Sequence, residues 1–346
     1  MKIFYGICGD GRGHAARSFA LIEKLQSIGH DVTVFTFDEA YELLSISGIP
    51  DHKIFKIAGL RFGQNESGIS IVETIKNAWN FFFEAKKDLR SIKSEIRKSG
   101  KPDLIISDFE PLLPRIAIYF GIPYITIDNQ HKFCTPLREG FSFWLQLYSA
   151  LAGIFISQYI PKPTLSIIST FHNCTNLQGY DRIEIMLREQ YVKRAVRYDG
   201  PILVYVRNPV HIKVSEVIAT LPNKFVFYGP KGTISPNIEY KNTSYGEFAD
   251  DLARCSAVIA CGGNQLMGEA KYFGKKVMAI PMPMQWEQEI NALYVEKEKI
   301  GECCYLSDFS RERVTAFIEK EFKKQETKNG IDQAIELLGP FIGCGN

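Results

Sequence analysis

The chain has 346 residues, of which 45% are hydrophobic and 23% charged, so it is long enough for two globular domains of ordinary size. Its 41 basic and 39 acidic residues leave a formal charge of +2, which argues against nucleic acid as a partner. The eight cysteines form no CxxC pair and have no histidine at ligand spacing, so we expect no metal site. Because several cysteines lie in apolar runs and the N-terminus shows no secretory leader, we expect a cytoplasmic protein.

The first half of the chain alternates between apolar runs and stretches with helical periodicity. Such alternation is typical of a parallel sheet with helices on both faces. The predicted strands are 2–8, 32–37, 53–57, 104–107 and 124–127, and the predicted helices are 15–27, 39–46, 69–98 and 112–120.

Residues 140–161 contain no charged side chain, and their length approaches that of a membrane-spanning helix. Three interpretations stay open: a buried helix, a spanning helix, and an interfacial helix that holds a lipid or lies on a membrane surface. The last would give peripheral membrane contact through 141–160, at the inner face of the membrane. The apolar character is diluted by Ser142, Gln146, Ser149, Ser157 and Gln158.

After the segment 164–200, which is harder to parse, the alternation resumes and predicts a second α/β domain. A charged stretch at 183–197 is expected to be helical. We place the two domains at 1–165 and 201–325, with 166–200 as a connecting segment. The remaining predicted elements are strands 202–206, 224–228, 257–260 and 277–280, helices 210–220, 248–254, 311–324 and 330–338, and a helix that stops at Gly274.

Two glycine turns follow predicted strands: Gly9–Gly13 after the first strand and Gly262–Gly263 after strand 257–260. Ligands of open parallel sheets bind at the carboxyl ends of strands, and helix N-termini offer N–H groups and partial positive charge to phosphate. A dinucleotide-dependent dehydrogenase is disfavoured, because His14 stands where the third glycine of that fingerprint belongs. A plain tight turn remains an alternative for Gly262–Gly263.

His14 has the chemistry of a general base. An unperturbed imidazole titrates at about pH 6.5, and a carboxylate on its second nitrogen orients such a base and stabilises its cation. Asp108 ends another predicted strand, from which we expect it to reach His14. Two structural alternatives stay open, in which His14 caps a helix and Asp108 is the N-cap of the helix that follows it.

The stretch 258–301 and the loop GDGRGHAARS resemble the inverting GT-B glycosyltransferases. That group includes the glucuronosyltransferases, the antibiotic glycosyltransferases and the N-acetylglucosaminyltransferase that completes the peptidoglycan lipid precursor. The likeness extends to LIISDFEP and GIPYITI, is weakest over 130–200, and is closest to a less-studied prokaryotic branch. The residues that match the donor signature in order and spacing are Gly262, Gly263, Glu269, Ala270, Gly274, Pro281, Gln288, Asn291 and Ala292.

The sequence departs from the family pattern within this donor signature. Cys261 replaces a histidine and Leu266 a threonine, so a side-chain grip on the diphosphate is lost and backbone N–H groups must contribute more to holding it. Gln265 replaces a glycine, and Glu287 replaces an aspartate with a longer acid that is still expected to reach a sugar hydroxyl.

The resemblance implies the GT-B fold, in which two Rossmann-like α/β domains face each other across a cleft with their parallel sheets. The N-terminal domain would hold the acceptor, the C-terminal domain the nucleotide sugar, and the helix at 326–346 would pack back on the first domain. His14 would deprotonate the acceptor, with Asp108 behind it. The acceptor-side loop would consist of Gly11, Arg12 and Gly13.

On the donor side, the resemblance assigns the ribose hydroxyls to Glu269. Arg207 and Asn208 follow strand 202–206, and from that position alone we expect them to assist the leaving diphosphate. The alternatives are that Glu269 is a solvated helix acid and that Gln288 caps a helix. The diphosphate would be held by Gly262, Gly263, Asn264 and Gln265, and the sugar by Glu287 and Gln288.

The predicted function is therefore transfer of a hexosyl group from a nucleoside-diphosphate sugar, UDP-linked by analogy, to an acceptor hydroxyl. We expect inversion at the anomeric carbon, no metal, and no cofactor other than the nucleotide sugar as substrate. The acceptor is unidentified, and the uncharged segment suggests a lipid-linked or apolar one. The alternatives are a nucleotide-sugar epimerase or hydrolase and a non-catalytic protein that binds nucleotide sugars.

Overall fold

The computed structural model describes residues 1–60, 64–65, 68–69, 71–175, 177–242 and 245–343. The chain divides into two compact units. The segment 166–200 is split between them, and the C-terminal helix belongs to the first unit. The first unit consists of Met1–Thr170, Cys174–Arg188 and Gly330–Asn346, and the second of Phe171–Asn173 and Glu189–Asn329.

The first unit is built on a parallel sheet. Its strands are β1 (Lys2–Ile7), β2 (Asp31–Thr36), β3 (Ile54–Lys56), β4 (Gln64–Asn65), β5 (Gly68–Ile69), β6 (Leu104–Asp108), β7 (Tyr124–Asp128), β8 (Leu165–Ser169) and β9 (Tyr180–Ile183). Its helices are α1 (Arg12–Ser27), α2 (Asp38–Ser45), α3 (Ile71–Ser99), α4 (Leu112–Phe120), α5 (Phe143–Tyr159) and, at the end of the chain, α12 (Gly330–Ile342). Apart from the antiparallel pair β4–β5, the strands form one sheet in the order β3-β2-β1-β6-β7-β8-β9.

Both faces of this sheet are covered, which explains why its strands read as continuous apolar runs. Ile3 and Tyr5 pack in a core with α1 and α12, whereas Phe4 packs in a second core with α3 and α4. The strand order reverses between β1 and β6, where Ile7 pairs with Asp108. Open α/β sheets bind ligands at such a reversal, beyond the carboxyl ends of the strands.

The second unit repeats this plan. Its strands are β10 (Ile202–Tyr205), β11 (Phe225–Tyr228), β12 (Ile238–Lys241), β13 (Ala257–Ala260), β14 (Lys276–Ala279) and β15 (Gly301–Cys303). Its helices are α6 (Glu189–Val192), α7 (Val210–Ala219), α8 (Tyr245–Arg254), α9 (Asn264–Tyr272), α10 (Trp286–Lys297) and α11 (Arg311–Glu319). The parallel order β12-β11-β10-β13-β14-β15 reverses between β10 and β13. The prediction of two parallel α/β sheets is confirmed.

Several elements near the edges of the sheets differ from those predicted from the sequence. The helix expected at 183–197 is replaced by the end of β9 and by the short helix α6. The two-residue strands β4 and β5 were not predicted, nor was β8, which lies in the segment 164–200 that was hard to parse. The edge strands β9, β12 and β15 were not predicted, because each is short and contains polar residues. Pairing with a neighbouring strand, rather than an apolar run, makes these segments strands.

The uncharged segment forms α5, which buries only one face. Ser142 caps its first turn by accepting from the backbone N–H of Leu145 at 3.4 Å. Small or aliphatic residues such as Gly153 and Ile156 face the protein, whereas large apolar side chains such as Phe143 are exposed on the surface. The interpretation as a wholly buried helix is therefore wrong. Within the described ranges, no helix has both the length and the apolar character needed to cross a membrane.

Candidate active site

His14 lies in the first turn of α1, where the chain leaves β1 at the reversal of the first sheet. Gly11 is the N-cap residue of α1 and has φ +91°, a conformation that favours glycine. Because α1 begins at Arg12, His14 is not the helix cap. Gly13 follows in the same turn, and the side chain of Arg12 lies outside the described part of the structure.

The carboxylate of Asp108 contacts His14 as expected, with 2.7 Å between Oδ1 and Nδ1. Both side chains are buried. The same carboxylate accepts two hydrogen bonds from Arg17, at 2.7 Å from Nε and 2.6 Å from Nη2, and one from the hydroxyl of Ser18 at 2.8 Å. All four groups lie beside the carboxyl ends of β1 and β6.

Charge–charge interactions keep Asp108 ionised in this buried setting. Burial opposes ionisation, but the Arg17 guanidinium, His14 and their hydrogen bonds outweigh it and hold the pKa of Asp108 below its usual range. Asp108 likewise raises the pKa of Arg17 against the effect of burial. The site therefore contains a fixed carboxylate–guanidinium pair beside the imidazole.

Sequence reasoning missed three members of this cluster. Arg17 and Ser18 lie three and four residues after His14, so all three share one face of α1, and that spacing was a usable signal. Gln130 follows β7, and its amide nitrogen is 3.2 Å from Nε2 of His14. No local pattern in the sequence distinguishes Gln130, because only the sheet brings β7 near β1.

The residues after β6 explain why Asp108 is free to face α1. Glu110 caps α4, since its carboxylate accepts from the backbone N–H groups of Leu112 at 2.5 Å and Leu113 at 2.9 Å. The N-cap role considered for Asp108 is therefore wrong. Burial raises the pKa of Glu110 to about 7. Phe109 has φ +54° and stacks over His14 with 6.5 Å between the ring centroids.

In the second unit, the donor-signature turn lies at the reversal between β10 and β13. Gly262 is in close contact with α10: a Cβ atom there would be 2.3 Å from the carbonyl oxygen of Gln288. Gly263, the N-cap residue of α9, has open space where a Cβ would stand. Because Gly263 has no side chain, a ligand can approach the N-terminus of α9, which begins at Asn264.

Arg207 and Asn208 follow β10 at the same edge of this sheet, and both are exposed. Burial raises the pKa of the Cys261 thiol to about 11, and the charge and backbone N–H of nearby Arg207 oppose that rise. The two strand ends are therefore close together. Cys261 is a neutral thiol at neutral pH, where the family pattern has a histidine.

Glu269 is buried in α9, one turn after Gln265, whose amide donates to its carboxylate at 3.1 Å. The interpretation as a solvated helix acid is therefore wrong. Burial raises the pKa of Glu269 to about 7, and the hydrogen bond from Gln265 opposes that rise. A carboxyl in this state can accept strong hydrogen bonds from hydroxyl groups when it ionises.

Gln288 and Asn291 hold backbone around the donor turn. The side-chain oxygen of Gln288 accepts from the N–H of Met282 at 3.1 Å, and the amide of Asn291 donates to the carbonyl of Gly262 at 2.8 Å. Glu287 is half-buried in the first turn of α10. In the described ranges, no three His, Cys, Asp or Glu side chains are grouped as a metal site would require.

Known proteins share this sequence pattern and this fold. A family model described as glycosyl transferase family 1 matches residues 1–321. A protein of Methanosarcina mazei described as an uncharacterized glycosyltransferase is 27% identical over 377 aligned residues, which cover 98% of this chain and 96% of that protein. The crystal structure of Arabidopsis thaliana UGT89C1 complexed with UDP-L-rhamnose has a TM-score of 0.66 at 12% identity, with 99% of each chain covered.

The crystal structure of MurG from Acinetobacter baumannii has a TM-score of 0.62 at 14% identity, with 98% of this chain and 99% of that chain covered. These similarities extend over both units and both parallel sheets. The chain therefore belongs to glycosyl transferase family 1, and it is a glycosyltransferase with the GT-B fold.

Proposed function

We propose that the protein transfers a hexosyl group from a UDP-sugar to an acceptor hydroxyl, with inversion and without a metal ion. The observation that carries this proposal is the buried His14–Asp108 pair, at the carboxyl edge of the first sheet. The open N-terminus of α9, at the corresponding reversal of the second sheet, supports the donor assignment. The base thus comes from the first unit and the donor-binding groups from the second.

In this reaction, Nε2 of His14 takes the proton of the acceptor hydroxyl, and the oxygen of that hydroxyl forms a bond to the anomeric carbon of the sugar. The bond from that carbon to the phosphate oxygen breaks, and its electron pair leaves with the nucleoside diphosphate. Asp108 stabilises the imidazolium that forms. Attack opposite the leaving group inverts the anomeric carbon.

Charge that develops on the leaving diphosphate requires positive potential. The N–H groups at the start of α9 supply it, and Arg207 beside Cys261 adds a full positive charge at the same edge. Gly263 leaves space for the phosphates, whereas Gly262 is needed for contact with α10. The side chains of Asn264 and Gln265 complete this part of the donor site, and Asn208 lies at its border.

Glu269 is assigned to the ribose hydroxyls and Glu287 to the sugar. Gln288 binds the sugar through its amide nitrogen while its oxygen holds Met282. The backbone at Gly11 and Gly13 borders the acceptor near His14.

Substitution of His14 by Ala separates catalysis from donor binding. We expect transfer to fall by a factor of about 10²–10⁴, the usual contribution of a general base, while the affinity for the donor is retained. His52→Ala is the matched control, because His52 is exposed. The measurement uses UDP-glucose and UDP-N-acetylglucosamine labelled in the sugar, with a soluble alcohol or a total lipid extract as acceptor. Unchanged turnover in His14→Ala would refute the base assignment.

The exposed face of α5 supports an apolar or lipid-linked acceptor and peripheral membrane contact. Trp144 is 64% and Ile154 63% exposed, and they belong to one apolar stripe. Ile154 also lines a cavity of 570 Å³ behind α5, together with Phe133 and Leu137. Phe133 lies in the short 3-10 helix that begins at Gln130, the contact of His14. An apolar group in this cavity would thus lie near the base.

Co-sedimentation with anionic phospholipid vesicles tests the membrane contact. We expect binding by the wild type and a loss of at least tenfold in the double variant Trp144→Ser, Phe155→Ser. Ile234→Ser is the control, since Ile234 is a 79% exposed aliphatic residue of the second unit. Equal binding of the double variant, or no binding by the wild type, contradicts this part of the proposal.

A further inference from the structure

The base nitrogen of His14 already contacts a donor of the protein. The amide nitrogen of Gln130 is 3.2 Å from Nε2, and the amide oxygen of Gln130 is 3.5 Å from Nη2 of Arg17. Gln130 begins the 3-10 helix Gln130–Cys134, which follows β7. Its side chain therefore bridges the guanidinium and the far nitrogen of the imidazole.

Arg17 fixes the orientation of this amide. A guanidinium can only donate hydrogen bonds, so the oxygen of Gln130 must face Arg17 and its NH2 group must face His14. In the reverse orientation, the NH2 group of Gln130 would face the N–H donors of Arg17, and neither group could accept a hydrogen bond. Since the amide then donates to Nε2, that nitrogen has no proton and presents its lone pair.

The contacts of Nδ1, the other imidazole nitrogen of His14, indicate the same tautomer. Nη2 of Arg17 has two protons, and its acceptors are Oδ1 of Asp108 at 2.6 Å and Gln130. Nη2 is also 2.7 Å from Nδ1 of His14, but its proton on this side is directed at Oδ1 of Asp108. An ionised carboxylate can only accept, so the contact of 2.7 Å between Nδ1 and Oδ1 of Asp108 requires the proton on Nδ1.

We propose that Arg17 and Gln130 are positioning residues that hold His14 in the tautomer with its proton on Nδ1, and that the amide of Gln130 occupies Nε2 until the acceptor hydroxyl replaces it. This inference rests on the proposed role of His14 as the base. An acceptor hydroxyl donates to Nε2 as the amide does, so the exchange leaves the tautomer unchanged. The base is thus ready for the proton before the acceptor arrives.

The tautomer is measurable without any substrate. In protein labelled with ¹⁵N-histidine, long-range ¹H–¹⁵N correlation reports which ring nitrogen carries the proton, and the spectrum is recorded at increasing pH until the ring is neutral. The chain has six histidines, and loss of one pattern in His14→Asn assigns the relevant one. For the wild type we expect the proton on Nδ1 and none on Nε2.

Gln130→Glu keeps the shape of the side chain but replaces the donor by an acceptor. We expect His14 in this variant to carry a proton on Nε2, and kcat to fall by a factor of about 10² with an unchanged KM for the UDP-sugar. Arg17→Lys removes the bidentate donor but keeps the charge, and we expect a mixture of tautomers. Gln26→Ala, at an exposed glutamine of α1, is the control and keeps the wild-type pattern.

A proton on Nε2 of His14 in the wild type, or an unchanged pattern in Gln130→Glu, would overturn the inference. An unchanged pattern in Gln130→Glu would leave His14 as the base, whereas a proton on Nε2 in the wild type would also remove Nε2 as the base. Sugar transfer itself is tested separately by the transfer assay, because the spectrum uses neither donor nor acceptor. Conversely, failure of sugar transfer in the wild type contradicts the proposed function and does not affect the tautomer result.

Discussion

Two adjacent glycines of the donor turn have opposite structural surroundings, so the same substitution should have opposite effects. At Gly262, an added Cβ would lie 2.3 Å from the carbonyl oxygen of Gln288 in α10. At Gly263, nothing stands within 4 Å of an added Cβ, and φ −75° with ψ 127° suits any residue. We predict that Gly262→Ala lowers stability, whereas Gly263→Ala lowers only the affinity for the nucleotide.

The magnitudes follow from these contacts. A normal Cβ contact begins at 3.4 Å, so α10 must move by about 1 Å from Gly262, which also strains the 2.8 Å hydrogen bond from Asn291. Such overpacking costs about 2 kcal/mol, or roughly a 30-fold change in the unfolding equilibrium. Gly263→Ala should change the free energy of unfolding by less than about 0.5 kcal/mol. Its methyl group would fill the space proposed for the phosphates, so we expect a loss of affinity of about tenfold, equivalent to about 1.4 kcal/mol.

The assay combines urea unfolding, followed by far-UV circular dichroism, with calorimetric titration of UDP and UDP-glucose. Each variant is the control for the other, since the substitutions are identical and one residue apart. Wild-type affinity in Gly263→Ala would refute the assignment of this turn to the diphosphate. Wild-type stability in Gly262→Ala would refute the packing argument.

Three further predictions concern buried charges. Glu269 has a pKa raised to about 7, so its neutral form stabilises the fold below about pH 4.5 and that contribution is lost as the pH rises through about 7. Glu269→Gln should thus be more stable than the wild type at pH 8 in urea, by up to roughly 3 kcal/mol, but bind UDP more weakly in calorimetry. The pKa of Asp108 is lowered, so its contribution to the free energy of unfolding is present above about pH 4 and is lost as the pH falls through the folded-state pKa. Asp108→Asn should therefore cost about 3–5 kcal/mol at pH 7 and flatten the acid side of the stability curve. Lys275 is fully buried and donates to the carbonyls of Ala253 at 2.8 Å and Cys255 at 2.9 Å, so Lys275→Met should cost about 3 kcal/mol in urea unfolding, and equal stability would contradict that role.

Much of the fold was predictable because its strands are buried on both faces. Continuous apolar runs such as β1 and β13 identify central strands, and their alternation with helices implies parallel sheets. The polar edge strands β9, β12 and β15 were not predictable in this way. Their strand character depends on pairing with a neighbour, which a local pattern does not encode.

In the candidate site, too, local features were predictable from the sequence and contacts between distant residues were less so. The glycine turns and His14 were predicted as candidates because a turn after a strand is a local feature, whereas the candidate role of Glu269 came from the family resemblance. The contact between His14 and Asp108 followed from expecting β1 and β6 to end at one edge of the sheet, and the register confirms that they do.

The sequence by itself determined the two α/β sheets, the family and the two turns that carry the proposed chemistry, since each depends on residues close together in the chain. Only the tertiary structure decided what surrounds these turns. It brought Arg17 and Gln130 around His14, gave the cap of α4 to Glu110 and set Gly262 against α10. The reason is physical: the protonation and orientation of a buried side chain depend on neighbours that are distant in the sequence and that only the packed sheet brings within hydrogen-bond distance.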